Sequence, residues 1–143
     1  MLLVDDDPDM LSALGFELES FADVKAVGSV NAALPLIIRG RFDVAIADLR
    51  MPDRWGDELL AHLAARSPGT LRIILTGDSN PRRTVRELID TGLVQAIYAK
   101  PRAEGLIAHL RDTLRDLIAT PRFPDRPDPP DRDHAEDPPA PTS

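Results

Sequence analysis

Five short apolar runs alternate with five stretches of helical spacing between residues 2 and 119, and that alternation constrains the fold more than anything else in the chain. Leu2–Val4 is a short strand, and Pro8–Ser20 carries a helical stripe of Met10, Leu11, Leu14 and Leu18 with proline in its first turn. Val24–Val27 reads as a weak strand, and Asn31 caps a helix that runs to Arg39 and stops at Gly40. Phe42–Ala47 is a strand, and the helix Asp57–Arg66 ends at Ser67-Pro68-Gly69. Leu71–Leu75 reads as a buried strand of the parallel type. Asn80-Pro81 opens a helix that closes at Gly92, Val94–Ala99 is the last strand, and Ala103–Ala119 is the last helix. Strands separated by helices need right-handed crossovers, which predicts an α/β doubly wound five-stranded parallel sheet. Fold precedent supplies the flavodoxin-like order 2-1-3-4-5, with the first and third strands adjacent at the switch point.

The strands end on chemistry. The first runs into Asp5-Asp6-Asp7, the third into Asp48, the fourth into Thr76 and the last into Lys100-Pro101. In a parallel sheet these carboxyl ends share one edge, so a carboxylate cluster, a hydroxyl and an ammonium meet in one place. Crowded carboxylates repel unless a cation neutralises them. Oxygen-only donors favour Mg²⁺ (or Mn²⁺) over a softer metal. With Asp6 and Asp48 as ligands, such an ion keeps positions open for water and a phosphoryl oxygen, which makes Asp48 the candidate nucleophile. Lys100 and Thr76 can each take a further phosphoryl oxygen.

Bulk properties narrow the function classes. The chain has no cysteine, which excludes disulfides, thiolate metal sites and cysteine nucleophiles. No apolar run approaches the roughly 18 residues needed to span a bilayer, and the first residues do not read as a signal peptide. The expected setting is therefore cytoplasmic, with no membrane partner. A net charge of −7 argues against direct nucleic-acid binding. Of the 17 basic residues only Lys25 and Lys100 are lysine, so a lysine at a strand end suits a site that wants a compact point charge.

The composition breaks near Pro121: eight of the last 23 residues are proline, and only Phe123 is a sizeable apolar side chain. Residues 1–120 are therefore expected to form the folded domain and 121–143 a Pro/Asp-rich disordered tail, a solvated tail outweighing a proline-rich binding segment.

The motifs Leu3-Val4-Asp5-Asp6-Asp7-Pro8, Asp48-Leu49-Arg50-Met51-Pro52 with Gly56, Ile74-Leu75-Thr76-Gly77 and Lys100-Pro101 stand in one register. Over residues 2–119 the chain resembles the receiver domain of two-component response regulators. That resemblance implies phosphorylation of Asp48 by a histidine kinase or histidine phosphotransfer protein. Asp6 then binds Mg²⁺ directly, Asp5 acts through water, and the Arg50 carbonyl completes the shell. Thr76 is implied as the switch hydroxyl, Lys100 as the phosphate-binding ammonium, and Pro101 as following a cis bond. The chain departs from the pattern at Ile97, where receivers carry an aromatic switch residue. Tyr98 faces the other side of its strand and does not replace it.

The reading is a single-domain response regulator of a two-component or phosphorelay system, not an enzyme. It signals by contact with a downstream protein whose identity stays open, as does homodimerisation. Three alternatives stand beside it. The first is a receiver-like interaction module that never carries phosphate, and the second is a fragment of a longer regulator with a lost output domain. The third, a phosphatase of the haloacid dehalogenase type using Asp5 and Asp7, leaves Asp48 unexplained. Arg50 and Asp78 are expected to flank the phosphoryl entrance, either as a gating ion pair or as two solvated charges. Trp55 is expected to pack over the following helix start. His62, His109 and His134 are read as surface residues, and Arg82, Arg83, Arg86, Arg102, Arg111 and Arg115 as a solvated face.

Overall fold

The computed structural model describes residues 1–77 and 83–120. The elements follow in the order β1 (Leu2–Val4), α1 (Pro8–Leu18), β2 (Lys25–Val27), α2 (Val30–Arg39), β3 (Val44–Asp48), α3 (Gly56–Arg66), β4 (Leu71–Thr76), α4 (Arg83–Asp90), β5 (Ala96–Ala99) and α5 (Glu104–Ala119). The five strands form one parallel sheet of order β2-β1-β3-β4-β5, the flavodoxin-like arrangement expected from fold precedent. The expected start of α4 at Asn80-Pro81, Asp78, Arg82, His134 and the tail from Pro121 lie outside the described residues.

The sheet is buried on both faces, which is why its central strands read as near-continuous apolar runs. Toward α2, α3 and α4 it presents Leu2, Val4, Ala45, Ala47 and Ile74, packed with Val30, Ala33, Leu59, Leu60, Leu63 and Leu88. Toward α1 and α5 it presents Leu3, Val44, Ile46, Ile73 and Leu75, packed with Met10, Leu14, Leu18, Leu110, Leu114 and Leu117. Strand alternation sorts Ile97 to the first face and Tyr98 to the second, so Tyr98 does not substitute for a switch aromatic.

Four local expectations are corrected. The N-cap of α2 is Ser29, not Asn31: Ser29 is extended and its hydroxyl accepts from the Ala32 N–H, which places Asn31 inside the first turn. β3 begins at Val44 rather than Phe42 and reaches Asp48 itself, and β5 begins at Ala96 rather than Val94. No cis peptide bond occurs among the described residues, so Lys100-Pro101 is trans. An X–Pro bond prefers trans by about 0.5–1 kcal/mol, and Lys100 reaches its partners from that geometry. Gly92 at φ 77° ends the helical stretch of α4, a conformation that costs glycine little.

Arg72 is a feature that periodicity missed. It is 5% exposed inside β4, yet no carboxylate pairs with it in the described network. Its Nε donates to the Leu93 carbonyl (2.7 Å), and its terminal nitrogens donate to the carbonyls of Pro68 (3.1 Å), Thr70 (2.9 Å) and Gly92 (3.2 Å). A guanidinium with five donors can thus tie both loops that enter the amino-terminal end of β4 and β5.

Candidate phosphoryl and metal site

Ladder bonds continue one step past the strand ends and bring the site residues to one edge. The Asp5 N–H donates to the Val27 carbonyl (3.2 Å), Leu49 to Leu75 (3.1 Å) and Lys100 to Thr76 (2.9 Å). In the β4–β5 register Thr76 stands opposite Ala99, and in the β3–β4 register Asp48 stands opposite Leu75. Asp48 and Thr76 are thus carried to the edge by adjacent strands, with Lys100 immediately beyond β5.

Lys100 organises the site. Its Nζ lies 2.8 Å from Asp48 Oδ2 and 2.9 Å from Asp5 Oδ2, and donates to Asp5 Oδ1 at 3.0 Å. Asp5 is 1% exposed and Asp48 6%, whereas Asp6 is open to solvent. The Asp7 N–H also donates to Asp5 Oδ1 (2.9 Å), and the Asp7 carboxylate accepts from Asp9 N–H (3.0 Å) as the cap of α1. Asp48 Oδ1 takes only a long contact from the Arg50 N–H, at 3.4 Å, among the described bonds.

Burial pushes the Asp48 carboxyl above the ordinary carboxylate range, with the Lys100 ammonium opposing it. Burial alone would lower Lys100, but the bonds to Asp48 and Asp5 outweigh it and raise its pKa, so it stays an ammonium.

Carboxylate oxygens of Asp5, Asp6 and Asp48 all lie within 4.8 Å of one another. Asp5 Oδ2 is buried and, although beside Nζ, receives no hydrogen bond. Three converging carboxylates with one unsatisfied buried oxygen suit a hard divalent cation, or a water bound to one.

The loop after Asp48 is built around close approach. A Cβ on Gly56 would sit 2.0 Å from the Asp48 carbonyl oxygen, so α3 can start there only with glycine. The Gly56 N–H donates to Leu49 (2.9 Å), and Arg50 bridges Trp55 in a narrow antiparallel pair. The Trp55 ring, 49% exposed at the cap of α3, lies under the Arg50 guanidinium with 5.6 Å to its centroid. The expected Arg50–Asp78 pair lies outside the described residues.

Of the expected site residues, the structure brings Asp5, Asp6, Asp48 and Lys100 directly together and puts Thr76 on the neighbouring strand end. His62 and His109 are exposed, as read. Arg86 and Arg102 are exposed, while Arg111 pairs with Glu17 (2.6 Å) and Asp112 (2.9 Å). Sequence reasoning missed Asp53, whose carboxylate accepts from the N–H groups of Val30 (3.4 Å) and Asn31 (2.9 Å) at the start of α2. Nothing in the local spacing of the loop signals that bond.

This geometry defines a doubly wound α/β domain whose strand-end edge gathers three carboxylates that could hold a metal ion beside one ammonium. The chain belongs to the response regulator receiver domain family, whose model matches residues 1–111. It is 30% identical over 118 residues to the hydrogenase transcriptional regulatory protein HoxA of Cupriavidus necator, covering 82% of this chain and 24% of that protein. It is 31% identical over 125 residues to a response regulator receiver protein of Anaeromyxobacter sp., covering 87% of this chain and 45% of that one. The chain thus spans less than half the length of these curated relatives. In structure it is similar to a CheY-like receiver domain protein from Methanospirillum hungatei, at TM-score 0.70 and 24% identity over 82% of this chain and 90% of that one. It is also similar to the response regulator TrrA of Thermotoga maritima, solved with Mg²⁺ and beryllium fluoride, at TM-score 0.65 and 22% identity over 81% and 96%. These two likenesses establish the fold. Among the described residues no helix is long and apolar enough to cross a membrane.

Proposed function

We propose that this receiver accepts a phosphoryl group on Asp48 from a histidine kinase or histidine phosphotransfer protein and passes the signal on by protein contact. The observation that carries the reading is the Lys100 ammonium bridging buried Asp5 and Asp48 beside exposed Asp6. An Asp48 carboxylate oxygen attacks phosphorus in line, the bond from phosphorus to the donor imidazole nitrogen breaks, and the electron pair stays on that nitrogen. Lys100, still held by Asp5, moves from Asp48 Oδ2 onto a phosphoryl oxygen, and the Thr76 hydroxyl takes another. Asp5, Asp6, Asp48 and the Arg50 carbonyl would hold Mg²⁺ (or Mn²⁺), Asp5 through water. When bound, the cation neutralises charge on the phosphoryl oxygens. The chain acts as a cytoplasmic phosphoryl acceptor rather than as an enzyme on a separate substrate. Exposed Ile89 on α4 and Leu106 on α5 offer apolar contact for a downstream protein.

Ile97 in place of a switch aromatic favours one second reading, an interaction module that carries no phosphate. Intact mass after incubation with Mg²⁺ and acetyl phosphate separates the two. A phosphoryl adduct on wild type, absent in Asp48→Asn and abolished by EDTA, supports the acceptor. If beryllium fluoride with Mg²⁺ leaves Trp55 fluorescence unchanged and no adduct forms, the acceptor reading falls.

A further inference from the structure

The Asp53 carboxylate leaves its own loop to bind a different element. It accepts from the Asn31 N–H at 2.9 Å and, more loosely, from the Val30 N–H at 3.4 Å, while the Ser29 hydroxyl accepts from Ala32 N–H at 3.0 Å. The free donors of the first turn of α2 are thus divided between a local cap and one borrowed from 22 residues away. An anion is favoured there by the helix dipole.

The connection links the two loops that carry the candidate metal site. Asp53 lies three residues beyond Arg50 and five beyond Asp48, in the loop joined by the Arg50–Trp55 bridge and the bond from Gly56 to Leu49. On the far side, α2 is entered from Ser29 and Gly28, directly after Val27, whose carbonyl accepts from the Asp5 N–H at 3.2 Å. A contact path therefore runs from Asp5 through Val27 and the start of α2 to Asp53, and back to Arg50 and Asp48. The Lys100 ammonium joins the Asp5 and Asp48 carboxylates directly.

We propose that Asp53 is a positioning residue for the metal site: by anchoring the 49–56 loop to α2, it sets the Arg50 carbonyl and Asp48 relative to the acidic loop that follows β1. The proposal rests on the reading of this edge as a Mg²⁺ site. Partners behind metal ligands typically change affinity about 10–100-fold when removed, and this one acts through an exposed loop, so the expected loss is about tenfold. The test is titration of wild type, Asp53→Ala, Asp53→Asn and Ser29→Ala with MgCl₂ by calorimetry, alongside thermal unfolding in EDTA. Both alanine variants remove a cap from the same helix and should melt earlier. Only Asp53→Ala should weaken Mg²⁺, with Asp53→Asn recovering part of the affinity through its remaining carbonyl oxygen. Equal affinity in Asp53→Ala and wild type, or equal weakening in Ser29→Ala, overturns the proposal. If wild type itself takes up no Mg²⁺, the metal reading has failed before Asp53 is at issue.

Discussion

Two aspartates five positions apart are held in opposite environments, and their protonation follows. Asp48 is buried at a strand end, so desolvation raises its carboxyl, while the Lys100 ammonium and, more weakly, the Arg50 N–H support the charged form. Asp53 lies at the surface, and the Asn31 N–H, helped by that of Val30, lowers its carboxyl below its ordinary value against an opposing desolvation. A carboxyl whose folded pKa lies below its unfolded value of about 3.9 adds stability above that value. The contribution fades as pH falls through the folded pKa. Wild type should therefore exceed Asp53→Asn in stability near neutrality, and the gap should close on acidification below roughly pH 4. Urea unfolding across that range in metal-free buffer checks the sign. A gap that stays constant with pH means the carboxylate charge plays no part in the cap.

At the scale of elements, each strand end is paired with a helix start that limits what can be placed between them. The start of α3 packs against the backbone of Asp48 itself: a Cβ at Gly56 meets the Asp48 carbonyl oxygen at 2.0 Å, its carbon at 3.0 Å and Leu49 Cα at 3.4 Å. Backbone atoms on both sides cannot move aside as a flexible side chain would. Gly56→Ala should therefore cost about 3 kcal/mol, the upper end for overpacking, and shift Asp48 enough to slow phosphorylation. Gly77 is the internal comparison. Its added Cβ meets only Lys100 Cδ, at 3.8 Å, so Gly77→Ala should unfold at nearly the wild-type urea midpoint. Equal midpoints for the two variants would refute the close approach at Gly56.

For the molecule as a whole, two apolar layers clamp one sheet, and the edge between them carries three mutually close carboxylates against one ammonium. That imbalance makes cation binding and stability one equilibrium. At Mg²⁺ tenfold above its Kd, linkage adds about 1.4 kcal/mol, on the order of 5 °C in Tm for a domain of this size. Calorimetric melting with Mg²⁺ and with EDTA reads this directly, and Asp6→Asn should abolish most of the difference. Much of this arrangement was legible along the chain. Strand–helix alternation requires a parallel sheet, a parallel sheet aligns its carboxyl ends, and Asp5, Asp6, Asp48, Thr76 and Lys100 each stand at such an end. Periodicity reports which face of an element is buried, and it placed Ile97 and Tyr98 on opposite sides correctly. It says nothing about which polar group meets which across a gap in sequence. The Asp53 bond to α2, the cap at Ser29 rather than Asn31, and the Arg72 guanidinium gathering four carbonyls were decided only when the elements packed. Burial is encoded locally by spacing, whereas a hydrogen bond needs two groups within about 3 Å, a distance that only the tertiary fold sets.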